Sequence, residues 1–113
     1  MSQGCLFCRM IRREIPTTVV HEDDRAFAFR DINPQAPTHV LVIPREHVSS
    51  LDTATDPELL GRVLLLAAEI ARREGIAESG YRTVVNTNAA AGQTVFHVHI
   101  HLLGGRRLGW PPG

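Results

Sequence analysis

From residue 56 onward, apolar side chains recur at Leu60, Val63, Leu64, Ala67, Ile70 and Ala71, the spacing of one helical face. Asp56 is an N-cap candidate and Pro57 suits the first helical position. Glu58 complements the positive end of the helix dipole, Arg72 and Arg73 the negative end, and Gly75 supplies the stop. Residues 5–13 predict a shorter helix, with Leu6 and Met10 one turn apart on one side and Phe7 and Ile11 on another. Residues 19–22 and 26–30 predict two strands around the turn Asp23-Asp24. The β-branched run 39–44 predicts a buried strand, 81–86 another, and 94–103 a long one ending at Gly104-Gly105. Pro34 and Pro37 make 31–38 a loop, and 88–93 is a Gly- and Ala-rich turn. The sum is an α+β fold: one antiparallel sheet of about five strands, with two main helices expected on one face.

The chain has 113 residues, the size of one domain spanning 1–113, with an irregular tail over 106–113 that contains Pro111-Pro112. Twelve basic residues balance twelve acidic ones, which argues against a nucleic-acid partner held by a basic field. No apolar run approaches the length needed to span a membrane, and no secretion signal opens the chain, so the expected compartment is the cytoplasm. Every basic residue is Arg. The absence of Lys excludes a Lys nucleophile, a Schiff base and a P-loop.

The densest chemistry lies in His97-Val98-His99-Ile100-His101-Leu102-Leu103. Alternate residues of a strand share a face, so the three histidines are expected on one side and Val98, Ile100 and Leu102 on the other. A shared metal is one reading, but His97 and His101 stand about 13 Å apart along an extended strand, too far for bonds of about 2 Å to one ion. A polar sheet face without function is a second reading. A catalytic row is the third: neutral imidazole is a nucleophile near neutral pH, and its neighbours can donate to phosphate oxygens or pass protons. An amine leaving group departs only when protonated, a task suited to histidine.

The segment HVHIHLL resembles the signature of the histidine triad (HIT) family. With LFCRMIRREIP, NPQAPTHVLVIP, VVNTNAAAGQTVF and the tail GWPPG, the likeness covers almost the whole chain and is similar to the Hint branch. That resemblance implies a purine nucleoside 5′-phosphoramidate hydrolase with a nucleotidyl-histidine intermediate, an AMP-like ligand and a twofold homodimer. The third triad position is His101 rather than the Gln of the transferase branch, which favours hydrolysis. By the same resemblance His99 is the nucleophile, His101 contacts the α-phosphate, His39 helps relay a proton, and the Thr94 hydroxyl stabilises charge on phosphate oxygens. Taken alone, His39 looks structural; the family pattern reverses that reading. Asp31 is implied to hold the ribose hydroxyls, where otherwise it is a turn residue before Asn33-Pro34. Phe29, Ile32, Leu6 and Phe7 are implied to wall the base pocket; Met10 and Ile15 lie nearby but look more like core. Asn86, Gly92, Gln93 and Thr94 fall in the implied phosphate-binding stretch. His21 has no assigned role.

Cys5 and Cys8 have the spacing of half a four-ligand zinc site, with free thiols and redox chemistry as alternatives. His47 and His97 could complete the set. Some Hint-like proteins carry this cysteine pair and others lack it, which implies a structural zinc; catalysis itself requires no cofactor. The competing functions are a dinucleoside polyphosphate hydrolase, a non-catalytic nucleotide-binding or regulatory module, and a structural zinc protein.

Overall fold

Alternation along three strands builds the fold. The strands are β1 (Val19–Glu22), β2 (Ala26–Arg30), β3 (Thr38–Pro44), β4 (Tyr81–Val84) and β5 (Ile100–Gly104), and they form one sheet in the order β1-β2-β3-β5-β4. All neighbours are antiparallel. The computed structural model of the chain describes residues 4–113.

Each central strand sends alternate residues to opposite faces. Ala26 and Ala28 of β2, Val40 and Val42 of β3, and Ile100 and Leu102 of β5 pack with helix α2 (Pro57–Arg73). Phe27 and Phe29 of β2 and Leu41 and Ile43 of β3 point the other way, against helix α1 (Leu6–Ile11) through Phe7 and Met10. The two helices therefore cover opposite faces, not the single face expected. Both faces of β3 are apolar, so every residue of that strand is buried and a helix is needed on each side.

Helix α2 starts as its sequence dictates: the Asp56 carboxylate accepts the N–H groups of Glu58 and Leu59, at 3.1 and 3.2 Å. Its buried stripe is Leu59, Val63, Leu66, Ala67, Ile70 and Ala71. Leu60 is only half-buried and Leu64 is exposed, so the buried face is rotated from the expected one. The cause is a surplus of apolar residues in Leu59-Leu60 and Leu64-Leu65-Leu66, which fits more than one helical face. No helix among the described residues is long and apolar enough to cross a membrane.

Two strands are shorter than expected. β5 begins at Ile100 rather than residue 94, because the preceding segment bends at 95–97 and pairs elsewhere: Val98 N–H donates to the Val48 carbonyl at 2.6 Å. The Gln93 amide braces the bend, donating to the carbonyls of Ser49 and Val95 at 2.9 and 3.1 Å. β4 ends at Val84, opposite His101, close to where its partner begins. His21 is a satisfied histidine: it pairs with Asp23 at 2.8 Å and accepts from Arg73 at 3.1 Å.

Leu66→Ala removes a buried side chain between α2 and the sheet and is expected to cost about 2–5 kcal/mol. Asp56→Ala removes the cap and an exposed ion pair with Arg25 that contributes little, and is expected to cost about 1 kcal/mol. Denaturant unfolding of both variants checks the order.

Candidate active site

The polar chemistry gathers on the α1 side of the sheet. His101 lies on β5 between Leu41 of β3 and Val84 of β4, and His39 stands one diagonal step away on β3. Asp31 follows β2, and its backbone N–H donates to the His39 carbonyl at 3.0 Å. His99 sits just before β5 with its ring edge-on to Phe7 of α1, centroids 5.1 Å apart.

Fixed backbone groups decide which nitrogen of each ring carries hydrogen. A carbonyl can only accept, so the 2.8 Å contact from His99 Nδ1 to the His97 carbonyl makes Nδ1 the donor. In the neutral ring Nε2 then holds the lone pair. The Gln35 N–H donates to His39 Nδ1 at 3.0 Å, so His39 carries its hydrogen on Nε2. That nitrogen donates to His101 Nδ1 at 3.0 Å, with the Asp31 carboxylate 3.4 Å away. His101 is thus left with an Nε2–H. A chain of defined polarity runs from the Gln35 backbone through His39 to His101.

Burial favours the neutral form of these rings. It lowers the pKa of His99 below the usual 6.5, against the opposing pull of the His97 carbonyl and Asp31. His101 is pushed down to about 4, first by burial and then by His99 and His39. His39 is lowered by burial, partly offset by Asp31.

A cleft of about 190 Å³ opens beside them, lined by Leu6, Phe7, Met10, Phe29, Asp31, Ile32, Leu41, Thr94, Val95, His99 and His101. Ile32 is 91% exposed and forms the rim. Most of the residues singled out from the sequence meet here. Met10, read as core, also faces the cleft, while Ile15 packs only against the core cluster. Leu41 and Val95 were not singled out; for Leu41 the alternation with Val40 and Val42 was the available signal. Asn86, Gly92 and Gln93 do not line this cleft. Gln93 spends its side chain on the loop, with its carbonyl oxygen accepting Asn88 N–H at 2.8 Å. Gly92 closes the turn at φ 94°, a left-handed conformation suited to glycine. The Asp31 carboxylate also accepts Asn33 N–H at 2.8 Å, so it shapes its turn and faces the cleft at once.

His97 leaves the histidine row. Its Nε2–H donates to the Pro44 carbonyl at 2.8 Å, turning Nδ1 toward the two cysteines. The donor atoms of Cys5, Cys8, His47 and His97 all lie within 4.8 Å of one another. A tetrahedral metal with bonds of about 2.3 Å to sulfur and 2.0–2.1 Å to nitrogen separates sulfur from nitrogen by about 3.6 Å. The Sγ–Nδ1 separations here are 3.4 Å for Cys5–His97, 3.4 Å for Cys8–His47 and 3.5 Å for Cys8–His97. Donor types and spacing both fit a closed S₂N₂ site, and the Pro44 carbonyl is the outer partner that orients a ligating histidine.

Residues 12–108 match the HIT domain as a family. The chain belongs to the HIT family. It is 51% identical over 111 residues to the purine nucleoside phosphoramidase of Escherichia coli K12, covering 96% of this chain and 93% of that protein. It is 49% identical over 112 residues to a 14 kDa zinc-binding protein of Zea mays, covering 96% and 87%. The HIT family hydrolase of Legionella pneumophila superposes with a TM-score of 0.95 at 52% identity, over 97% of this chain and all of that one. The five-stranded sheet with its two helices is thus a HIT fold.

In this HIT protein, the tautomers are open to a direct check. Nitrogen-15 spectra at pH 8 are expected to show His99 protonated at Nδ1, and His39 and His101 at Nε2. A His99 signal protonated at Nε2 would contradict the hydrogen-bond assignment.

Proposed function

We propose that this HIT protein hydrolyses purine nucleoside 5′-phosphoramidates, releasing a nucleoside monophosphate and an amine through a nucleotidyl-histidine on His99. The observation that carries the reading is the hydrogen bond from His99 Nδ1 to the His97 carbonyl, which leaves the Nε2 lone pair for attack. The E. coli relative's name, purine nucleoside phosphoramidase, supports the substrate class.

In the first displacement the Nε2–phosphorus bond forms and the phosphorus–nitrogen bond breaks. The amine takes a proton as it departs, relayed by the Thr94 hydroxyl on the cleft wall as that hydroxyl takes one from solvent. His101 Nε2–H donates to a phosphoryl oxygen as negative charge builds there. Its own acceptor nitrogen is already engaged by His39, which holds the ring in place. In the second displacement water attacks phosphorus, the phosphorus–Nε2 bond breaks, and the water's proton leaves by the same polar groups. Asp31 accepts the ribose hydroxyls, and Leu6, Phe7, Phe29 and Ile32 take the base. Of the residues expected at the phosphate (Asn86, Gly92, Gln93 and Thr94), Thr94 lines the cleft and keeps that assignment.

The Cys5–Cys8–His47–His97 set is assigned to a structural zinc, supported by the donor spacing and by the zinc-binding name of the maize relative. Two further features favour a second copy of this chain as partner. Among the described residues no strand pairs with the outer edge of β4, and Leu64 and Leu65 are exposed on α2. Metal analysis and sedimentation of one preparation are expected to give one zinc per chain and twice the chain mass. Zinc well below one per chain removes the first assignment, and a monomer removes the second.

Release of AMP from adenosine 5′-phosphoramidate, measured in chelator, is expected for the native chain and should fall about a thousandfold or more in His99→Ala. Because burial lowers the His99 pKa, the neutral nucleophile predominates at pH 7 and is lost only as pH falls below the usual 6.5. Activity is therefore expected to hold from pH 8 to about 6.5 and to decline on further acidification. Equal rates for both proteins, or a flat profile down to pH 5, would overturn the role of His99. Binding without turnover would leave a nucleotide-binding module.

A further inference from the structure

Residue 97 joins two centres. Its side chain belongs to the Cys/His cluster, and its backbone carbonyl fixes the tautomer of His99. The same double membership recurs in α1. Cys5 and Cys8 bracket Leu6 and Phe7, and both of those residues line the cleft. The Phe7 ring lies 5.1 Å from His99, 5.2 Å from Phe29 and 6.0 Å from His97, centroid to centroid.

Helix α1 has six residues, and its N-cap is Cys5, whose sulfur accepts the Cys8 N–H at 3.4 Å. A helix this short has little stability of its own and keeps its shape through what it docks against. On one side it docks through Phe7 and Met10. On the other, the four-donor cluster ties it to the loop carrying His47 and to the segment carrying His97. That last segment also supplies Thr94 and Val95 to the cleft. Two of the segments that line the cleft are thus the two that the cluster brings together.

We propose that a tetrahedral metal ion held by Cys5, Cys8, His47 and His97 presets the neighbouring cleft, so that metal and nucleotide bind with positive cooperativity. The proposal rests on the reading of the cleft as a nucleotide site. Cys5, Cys8, His47 and His97 are positioning residues in this scheme: they act through Phe7 and the His97 carbonyl and touch no substrate. With those two segments fastened, the nucleotide no longer bears the cost of ordering them. Linkage makes the effect reciprocal: the nucleotide raises the affinity for metal by the same factor.

The test is made on the reduced native chain with zinc and AMP as probes, and its readout is binding, independent of turnover. Zinc affinity is measured by competition with a chromophoric chelator, with and without saturating AMP; AMP affinity is measured calorimetrically with and without zinc. The expected result is a gain of about fivefold or more in each affinity when the other ligand is present, equal within error. Phe7→Ala keeps all four donors but removes the ring between the centres. Its gain is expected to fall below about twofold, and because the gain is a ratio within one protein, a general loss of stability does not produce that result. AMP binding with equal affinity in both forms would overturn the cooperativity and leave the nucleotide site standing. Failure of AMP to bind either form would overturn the nucleotide reading and this proposal with it.

Discussion

The constraint on which the structure depends is the two-faced burial of strand β3. Val40 and Val42 require an aliphatic cover and receive α2; Leu41 and Ile43 require a second cover and receive α1 with the aromatic residues of β2. Because β3 is closed on both sides, its only polar side chains with chemical use lie toward its start, at His39. The neighbouring strand β5 then brings His101 to the same level. The active-site candidates therefore occupy the place where the second apolar layer runs out. They are buried enough to stay neutral and open enough to meet a ligand.

Main-chain groups set the polarity of this site. The His97 carbonyl, the Pro44 carbonyl and the Gln35 N–H each impose a proton position on one imidazole. Such groups do not titrate, so the arrangement does not depend on a neighbouring side chain keeping its charge. The Asp31 carboxylate opposes the effect of burial at His39, His99 and His101 without reversing it. The outcome is a row of donors and acceptors with a direction, which a row of equivalent histidines would lack.

Much of this was legible in the chain. The Asp56-Pro57 helix start, the hairpin around Asp23 and the five strands follow from local chemistry; alternation put His99 and His101 on one face, while His39 was brought to them only by the family resemblance. The failures have physical causes. The surplus leucines of α2 blurred its buried face. The helices went to opposite faces because Phe27, Phe29, Leu41 and Ile43 form a second apolar surface, a feature visible only once strand pairing is known. The histidine run broke into two groups because Gln93 and Val48 pull residues 95–98 away from the sheet. Period-two counting assumes a straight strand and has no means of seeing that competition. Asn86 and Gly92 carry family expectations that the cleft's lining does not itself reproduce.

The rim residue Ile32 gives the cleft a particular kind of discrimination. It stands nearly bare to solvent at a cleft whose apolar lining includes Leu6, Phe7, Met10 and Phe29. A flat ring entering this slot would be gripped on its two broad surfaces by hydrocarbon and aromatic carbon. No side chain of that apolar lining offers a hydrogen bond to the ring's perimeter. Selection would then depend on thickness and area: two fused rings would gain more contact than one, while exchange of an amino for a keto group at the edge would cost little. A slot of this kind sorts heterocycles by silhouette and ignores their lettering.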